Sequence, residues 1–103
     1  MNFSKYSFQI FTVTVADPAV FTYTAHELYT DDTIKLETTG ALPTGLAVKT
    51  TYYVIYNGIT ADTFQLSASQ GGDPIVTTGT QSGVHTYLKT NRARLSPLEE
   101  DNK

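Results

Sequence analysis

"GALPTGLAVKTTYYVIYNGITADTFQLSAS", residues 40–69, carries most of the signals that decide the fold. It opens with a proline-glycine corner and continues into residues 50–56, which are apolar on both faces and are therefore typical of a central strand. Asn57 and Gly58 follow, a pair that predicts a hairpin because both residues tolerate a positive φ. Residues 62–69 supply the returning strand. The stretch therefore indicates paired antiparallel strands.

Alternating apolar and polar residues extend this pattern towards both ends of the chain. Asp17-Pro18 separates the first two predicted strands, because proline lacks the donor that a ladder needs. The predicted strands outside the central stretch are residues 8–16, 20–25, 33–38, 75–80 and 84–90. About seven short strands with frequent turns are typical of a small antiparallel β-sandwich or a partly open β-barrel. The predicted fold class is all-β.

The last predicted strand has two faces of different character. Val84, Thr86 and Leu88 share one face, and we expect that face to pack on the core. His85 then lies on the opposite face, where a surface histidine is expected.

The length of 103 residues fits one domain, which we place at residues 1–90. The chain has no cysteine, so disulfides and thiolate metal sites are excluded. Threonines and charges interrupt every apolar run, and we find neither a signal peptide nor a membrane span. Synthesis in a cytoplasm, with no membrane contact, is the expectation.

Charge is distributed unevenly along the chain. Residues 6–88 hold two lysines against seven carboxylates, a formal charge of about −5. Affinity for nucleic acid depends on clustered lysine and arginine side chains. The acidic body therefore argues against a nucleic-acid partner.

Residue spacings that carry chemistry are missing from the sequence. His26 and His85 stand alone, without the second histidine three or four residues on that a zinc helix needs. No serine lies in a G-x-S-x-G elbow. Asp31, Asp32 and Glu37 do not have the spacing of a calcium-binding EF-hand. We therefore predict no catalytic residue, no cofactor and no metal site, and the chain is not expected to be an enzyme.

Three tyrosines in the central strand are the first candidates for binding a partner. Tyr52 and Tyr56 face one way and Tyr53 the other, so one set is expected in the core. The other set can form an exposed platform, since tyrosine has an apolar body and a polar tip. Tyr53 and Tyr56, one from each set, are the candidate partner-contacting residues.

Residues 91–103, NRARLSPLEEDNK, differ in composition from the rest of the chain. They form a charged C-terminal tail with a single apolar pair, Leu95 and Leu98. One interpretation is a frayed terminus. The other is an arm that lays both leucines on a neighbouring subunit, while Arg92 and Arg94 pair with its acidic body. These four residues complete the candidate contact set.

Several blocks of the sequence resemble a small β-domain that recurs in virion proteins of tailed bacteriophages. The blocks are "LPTGL", "TYYV", "DTFQLSASQGG" and "TTGTQSGVHT", and they occur in this order between residues 33 and 86. The resemblance implies a structural module of phage heads and tails and transfers no catalytic site. The chain is almost nothing but this domain, so we expect a small subunit that is present many times in each particle.

The resemblance implies a capsid decoration protein that binds the assembled head and stabilises it. Its partners would be the major capsid protein or other virion proteins, and closed symmetry suggests a homo-oligomer, with a trimer as the expected form. Residues 1–7 and 91–103 are the expected inter-subunit contacts. One alternative is a receptor- or carbohydrate-binding module of a tail fibre or baseplate, with Tyr53, Tyr56 or Tyr87 exposed. A tail-tube or connector subunit is another.

Overall fold

A computed structural model of the chain describes residues 8–90. Its six strands are β1 (Gln9–Val13), β2 (Phe21–Thr22), β3 (Thr33–Thr38), β4 (Thr51–Ile55), β5 (Thr63–Ser67) and β6 (His85–Lys89). They close into a barrel in the order β1-β2-β5-β4-β3-β6, with every neighbouring pair antiparallel. The prediction of a small all-β barrel or sandwich is confirmed, and the barrel is fully closed.

The predicted strand at residues 75–80 was wrong. The Ile75 amide donates to the carbonyl of Leu66 at 2.9 Å, whereas the Thr77 amide donates to the carbonyl of Ala16 at 3.0 Å. Thr78 makes a single antiparallel bridge with Thr44. Since successive residues bond to different parts of the chain, no regular ladder can form, despite the favourable β-propensity of the sequence.

Aromatic rings fill the middle of the barrel. Phe21 and Phe64 stack with their ring centroids 5.4 Å apart, and Tyr87 meets Phe64 edge-on at 5.9 Å. Both arrangements are favourable for ring quadrupoles. The buried core consists of Phe11, Val13, Ala19, Phe21, Leu28, Ile34, Leu36, Tyr52, Val54, Phe64, Leu66 and Tyr87.

The orientation of β6 is opposite to the prediction. His85 and Tyr87 point into the barrel and are buried, whereas Val84 is 48% exposed. This orientation buries the Tyr87 ring, the largest apolar group of the strand. Its contacts with Phe11 and Phe64 stabilise the buried position. Burial also raises the pKa of Tyr87 well above its ordinary value, with a smaller contribution from Tyr23.

The predicted Asn57-Gly58 turn is present between β4 and β5. The Ile59 amide donates to the Tyr56 carbonyl at 3.2 Å across the turn, and Gly58 has a φ of 70°. A side chain on Gly58 would collide with the amide group of Gln65 as well as straining the backbone. The register that follows pairs Val54 with Leu66, so both point into the core.

The described chain begins and ends at the same end of the barrel. Gln9, at the start of β1, is opposite Tyr87 near the end of β6. The Thr90 amide donates to the Thr33 carbonyl at 2.8 Å, which fixes the point where the chain leaves the sheet. The two ends of the described chain, Phe8 and Thr90, therefore lie at one end of the barrel.

Candidate functional site

A groove opens where β1 leaves β6 and turns towards β2. The β1–β6 ladder ends at the pair Phe11 and His85, and β1 then pairs with β2 from Thr12 onward. The backbone of residues 81–84 diverges from β1 and instead pairs with the segment that follows β3, where Ser82 forms an antiparallel bridge with Ala41. The resulting cavity measures about 390 Å³ and is lined by Ile10, Phe11, Thr12, Val13, Gln81, Ser82, Gly83, Val84 and His85.

Gly83 allows the wall of the groove to approach the rest of the barrel. Its φ of 82° lies in the left-handed region, and an added Cβ would lie 2.5 Å from the backbone nitrogen of Gly40. Any side chain at this position would therefore push the segment away from β3. The close approach holds this wall of the groove against Gly40, just after β3.

A chain of hydrogen bonds fixes the inner wall at His85. The Gln81 amide nitrogen donates to the Val13 carbonyl at 2.8 Å, so its Oε1 accepts from His85 Nε2, also at 2.8 Å. His85 Nδ1 then accepts from the Thr38 hydroxyl at 2.8 Å, while the Thr38 oxygen accepts from the Gly40 amide. Both ring nitrogens are satisfied, and the network joins β1, β3 and β6.

The outer rim of the groove is apolar. Ile10 is 62% exposed and Val84 48% exposed, and Phe8, two residues before Ile10 and just outside β1, is half exposed. These residues lie on the outer face of neighbouring strands, since Ile10 is opposite Thr86 in the register. Exposed apolar side chains that lie together in this way mark candidate contact surfaces.

Asp32 and Lys89 form an ion pair between a buried carboxylate and a partly exposed lysine, at the end of the barrel where β6 ends. The Lys89 Nζ lies 3.3 Å from Asp32 Oδ2, and the Asp32 side chain is fully buried. The same oxygen accepts a hydrogen bond from the Tyr29 amide at 2.8 Å, which closes the turn before β3. The carboxylate therefore joins the end of β6 to the start of β3.

His26 is a structural residue on a strained loop. The Leu28 amide donates to its Nδ1 at 2.8 Å, so Nε2 carries the proton and donates to the Thr63 carbonyl at 3.0 Å. Its ring meets Phe64 edge-on at 5.1 Å. The neighbouring residues Ala25 and Glu27 hold positive φ angles, which this buried histidine helps to stabilise.

The tyrosines of β4 divide as the alternation predicts, with one difference. Tyr52 is buried, and its hydroxyl accepts from the Ala47 amide at 2.8 Å. Tyr53 is partly buried on the outer face. Tyr56 lies just beyond the strand and is 78% exposed, so it does not share the burial of Tyr52. Tyr87 is buried and cannot act as an exposed platform.

The remaining predicted contact residues lie outside the described part of the chain. These are Arg92, Arg94, Leu95 and Leu98, together with residues 1–7. Sequence reasoning missed the groove itself. The one signal for it was the presence of large apolar residues on the outer face of β1 as well as the inner face.

Within residues 8–90, no cluster of three or more histidine, aspartate or glutamate side chains is arranged to hold a metal ion. In the same range, no helix has the length and apolar character needed to cross a membrane.

Comparisons with known proteins found no matching family model, no matching curated protein and no matching solved structure. The site is therefore interpreted from its own geometry. Both buried histidines have their ring nitrogens occupied by the fold, and the groove offers apolar side chains at its rim. Such a surface suits contact with apolar side chains of another polypeptide.

Replacement of Asp32 by asparagine tests this ion pair with Lys89. Asp32→Asn keeps the size of the side chain and an acceptor for Tyr29, but it leaves the Lys89 ammonium without its counter-charge. We expect the free energy of unfolding to fall by about 3 kcal/mol. Glu37→Gln is the matched control, because its pair with Lys49 is solvent-exposed and should be worth less than about 1 kcal/mol. Urea unfolding of both variants measures the difference, and equal losses would contradict the assignment.

The stability of the chain should depend on the protonation of His85. Burial lowers the pKa of His85 below 6.5, so the folded chain binds this proton less tightly than the unfolded chain. The stabilising contribution is complete above pH 6.5 and is lost as the pH falls through the folded pKa. We expect the free energy of unfolding to decrease between pH 7 and pH 5 by up to about 1.4 kcal/mol per unit of pKa difference.

Denaturant titrations at several pH values measure this dependence. His85→Gln should reduce the slope between pH 7 and pH 5, whereas Tyr56→Ala, a surface substitution, should keep it. An unchanged slope in His85→Gln would show that another group is responsible.

Proposed function

We propose that this chain is a structural subunit of a tailed-bacteriophage particle, a decoration protein that binds the assembled head through the major capsid protein. The motif blocks between residues 33 and 86 support this proposal through their resemblance to a recurrent virion domain. The alternative of a tail-tube or connector subunit shares the same scaffold. The copies would associate as a homo-oligomer, with a trimer on a local threefold axis as the expected form.

The observation that carries the proposal is how the fold uses its ionisable groups. His85 spans Thr38 and Gln81, and the carboxylate of Asp32 is held by Lys89. A catalytic residue must keep an atom available for substrate. In the described residues these groups instead stabilise the barrel, which favours a role in contact with other proteins.

The resemblance blocks have structural roles that fit a scaffold. Pro43 is buried, and Gly45 has a φ of 114° beside the Val76 carbonyl. Phe64 and Leu66 are fully buried in the barrel. These residues build the domain. The residues on its outer surface can therefore vary to suit different binding partners without changing the fold.

The proposed mechanism is stabilisation by mass action. A subunit that binds the assembled shell, and not its separated components, stabilises the shell by RT ln(1 + [L]/Kd) at each site. Each tenfold increase in subunit concentration above Kd then adds about 1.4 kcal/mol per site. A small, stable barrel is suited to this role because its binding requires no folding transition.

The exposure of Tyr56 favours the second candidate, a carbohydrate- or receptor-binding module. Its ring is 78% exposed at the end of β4, and Tyr29 is also exposed. Exposed tyrosine rings can stack on sugars. Glycan binding that is lost in Tyr56→Ala would favour this candidate over the decoration protein.

Heads produced without this chain provide the test. Purified chain is added at increasing concentration to heads of the phage whose genome encodes it, and to isolated tails as the control. We expect saturable binding to the heads and a rise in the temperature of DNA release that follows the logarithm of subunit concentration. Binding to the tails alone, or binding to heads without any rise in that temperature, would contradict the proposal.

A further inference from the structure

The apolar groove between β1 and residues 81–84 has the size and character of a site for a short peptide segment. Its volume of about 390 Å³ accommodates more than one aliphatic side chain, and Ile10 and Val84 line it from exposed positions. The inner wall is fixed by the hydrogen bonds of His85 and Gln81. A groove with a fixed wall loses little conformational freedom when a segment binds.

The sequence of the chain contains a segment that matches this groove. Residues 91–103 contain Leu95 and Leu98, separated by Ser96-Pro97, and otherwise mainly polar and charged residues. Proline fixes φ near −65° and disfavours helical conformation in the residue before it, so the segment favours an extended form that presents the two leucines close together. Extended segments of this kind bind in grooves at low entropic cost.

The length of the segment decides whether it can reach the groove of its own chain. Thr90 lies six residues beyond Val84 along β6, a distance of about 20 Å. A return path must reverse direction directly after Thr90, and a β-turn takes four residues. Leu95 would then have advanced by only about two residues, or roughly 7 Å. Leu98, three residues further on, would have advanced by roughly 17 Å and could approach the groove of its own chain, but Leu95 would still lie well short of it. The two leucines can therefore be seated together only in the groove of another copy.

Charge favours the same pairing between copies. Residues 8–90 contain seven carboxylates and three lysines, a formal net charge of −4. Arg92 and Arg94 lie three residues and one residue before Leu95, so they approach the acidic body of the neighbour when the leucines bind. The acidic residues of the tail, Glu99, Glu100 and Asp101, follow Leu98 and lie outside the binding segment. Opposite charge accelerates and orients such an encounter.

We propose that residues 92–98 of one copy bind in the groove between β1 and residues 81–84 of a second copy, with Leu95 and Leu98 as the apolar anchors. The contact is heterologous, so successive copies form a closed ring if the rotation between them closes. The inference extends the proposed function by naming the surface that joins the copies, and it is tested on the purified chain alone. Failure of this contact between copies would therefore not count against binding of the chain to heads, which the previous experiment tests separately.

Engineered cysteines test the contact directly, because the natural chain contains none. In Val84→Cys/Leu98→Cys, one cysteine lies in the groove and the other in the segment. We expect mild oxidation to give disulfide-linked dimers and larger species on a non-reducing gel. Val48→Cys/Leu98→Cys is the matched control, because Val48 is similarly exposed but lies outside the groove lining, and it should remain monomeric. An internal bridge, no bridge, or equal cross-linking in both variants would overturn the proposal.

A mixing experiment gives an independent test. Leu95→Asp/Leu98→Asp has an intact groove and a disabled segment, whereas Val84→Asp has the reverse. In sedimentation velocity, each variant should associate at least about a hundredfold more weakly than the natural chain. An equimolar mixture should recover association, because one intact groove then meets one intact segment. The proposal is contradicted if the natural chain does not associate or if the mixture does not recover association. Association of either variant alone at the strength of the natural chain would also contradict it.

Discussion

Packing of Phe21 between Phe11 and Phe64 is the interaction on which closure of the barrel depends. The ring of Phe21 lies 5.6 Å from Phe11 and 5.4 Å from Phe64, measured between centroids. It belongs to β2, which is only two residues long and joins β1 to β5. Since so short a strand contributes few ladder hydrogen bonds, burial of its aromatic side chain must supply most of the free energy that holds the two edges together.

Closure of the barrel also explains the position of the groove. β1 pairs with β6 only as far as Phe11 and with β2, on its opposite edge, only from Thr12 onward. The edge of β1 that faces β6 is therefore left open beside Thr12. Polar groups exposed at this separation are satisfied by Gln81, whose amide reaches both Val13 and His85. The same geometry that removes the sheet edges therefore creates one surface recess with a rigid inner wall and an apolar rim.

The sequence predicted the strands best where alternation coincides with strong turn signals. β3 matches its predicted bounds, and the Asn57-Gly58 turn separates β4 and β5 as expected. Both signals are local, so neither depends on partners distant in the chain. The length of β2 and the loss of a strand at residues 75–80 could not be predicted, because they depend on which distant segments compete for the same backbone groups.

The inward position of His85 shows a second limit of prediction from alternation. A histidine is costly to bury unless both ring nitrogens find partners, and those partners, Thr38 and Gln81, are 47 and 4 residues away. Alternation gave the two faces of β6 correctly but not which face is buried. The groove was missed for the same reason, since it arises from the divergence of two segments that no local pattern records. By contrast, the segment proposed to bind the groove, residues 92–98, is marked in the sequence by a change in composition after residue 90.

Native-state amide hydrogen exchange tests the central claim, that the short strand β2 closes a single cooperative barrel. The informative amides are those of Thr14 and Tyr23. The Thr14 amide, just after β1, donates to the carbonyl of Val20 just before β2, and the Tyr23 amide, just after β2, donates to the carbonyl of Asp62 just before β5. If the barrel is closed as described, both should exchange with a free energy of opening close to that of amides in β3. If these two amides exchange orders of magnitude faster than β3, then β2 opens independently, and the account of a closed barrel held by Phe21 is wrong.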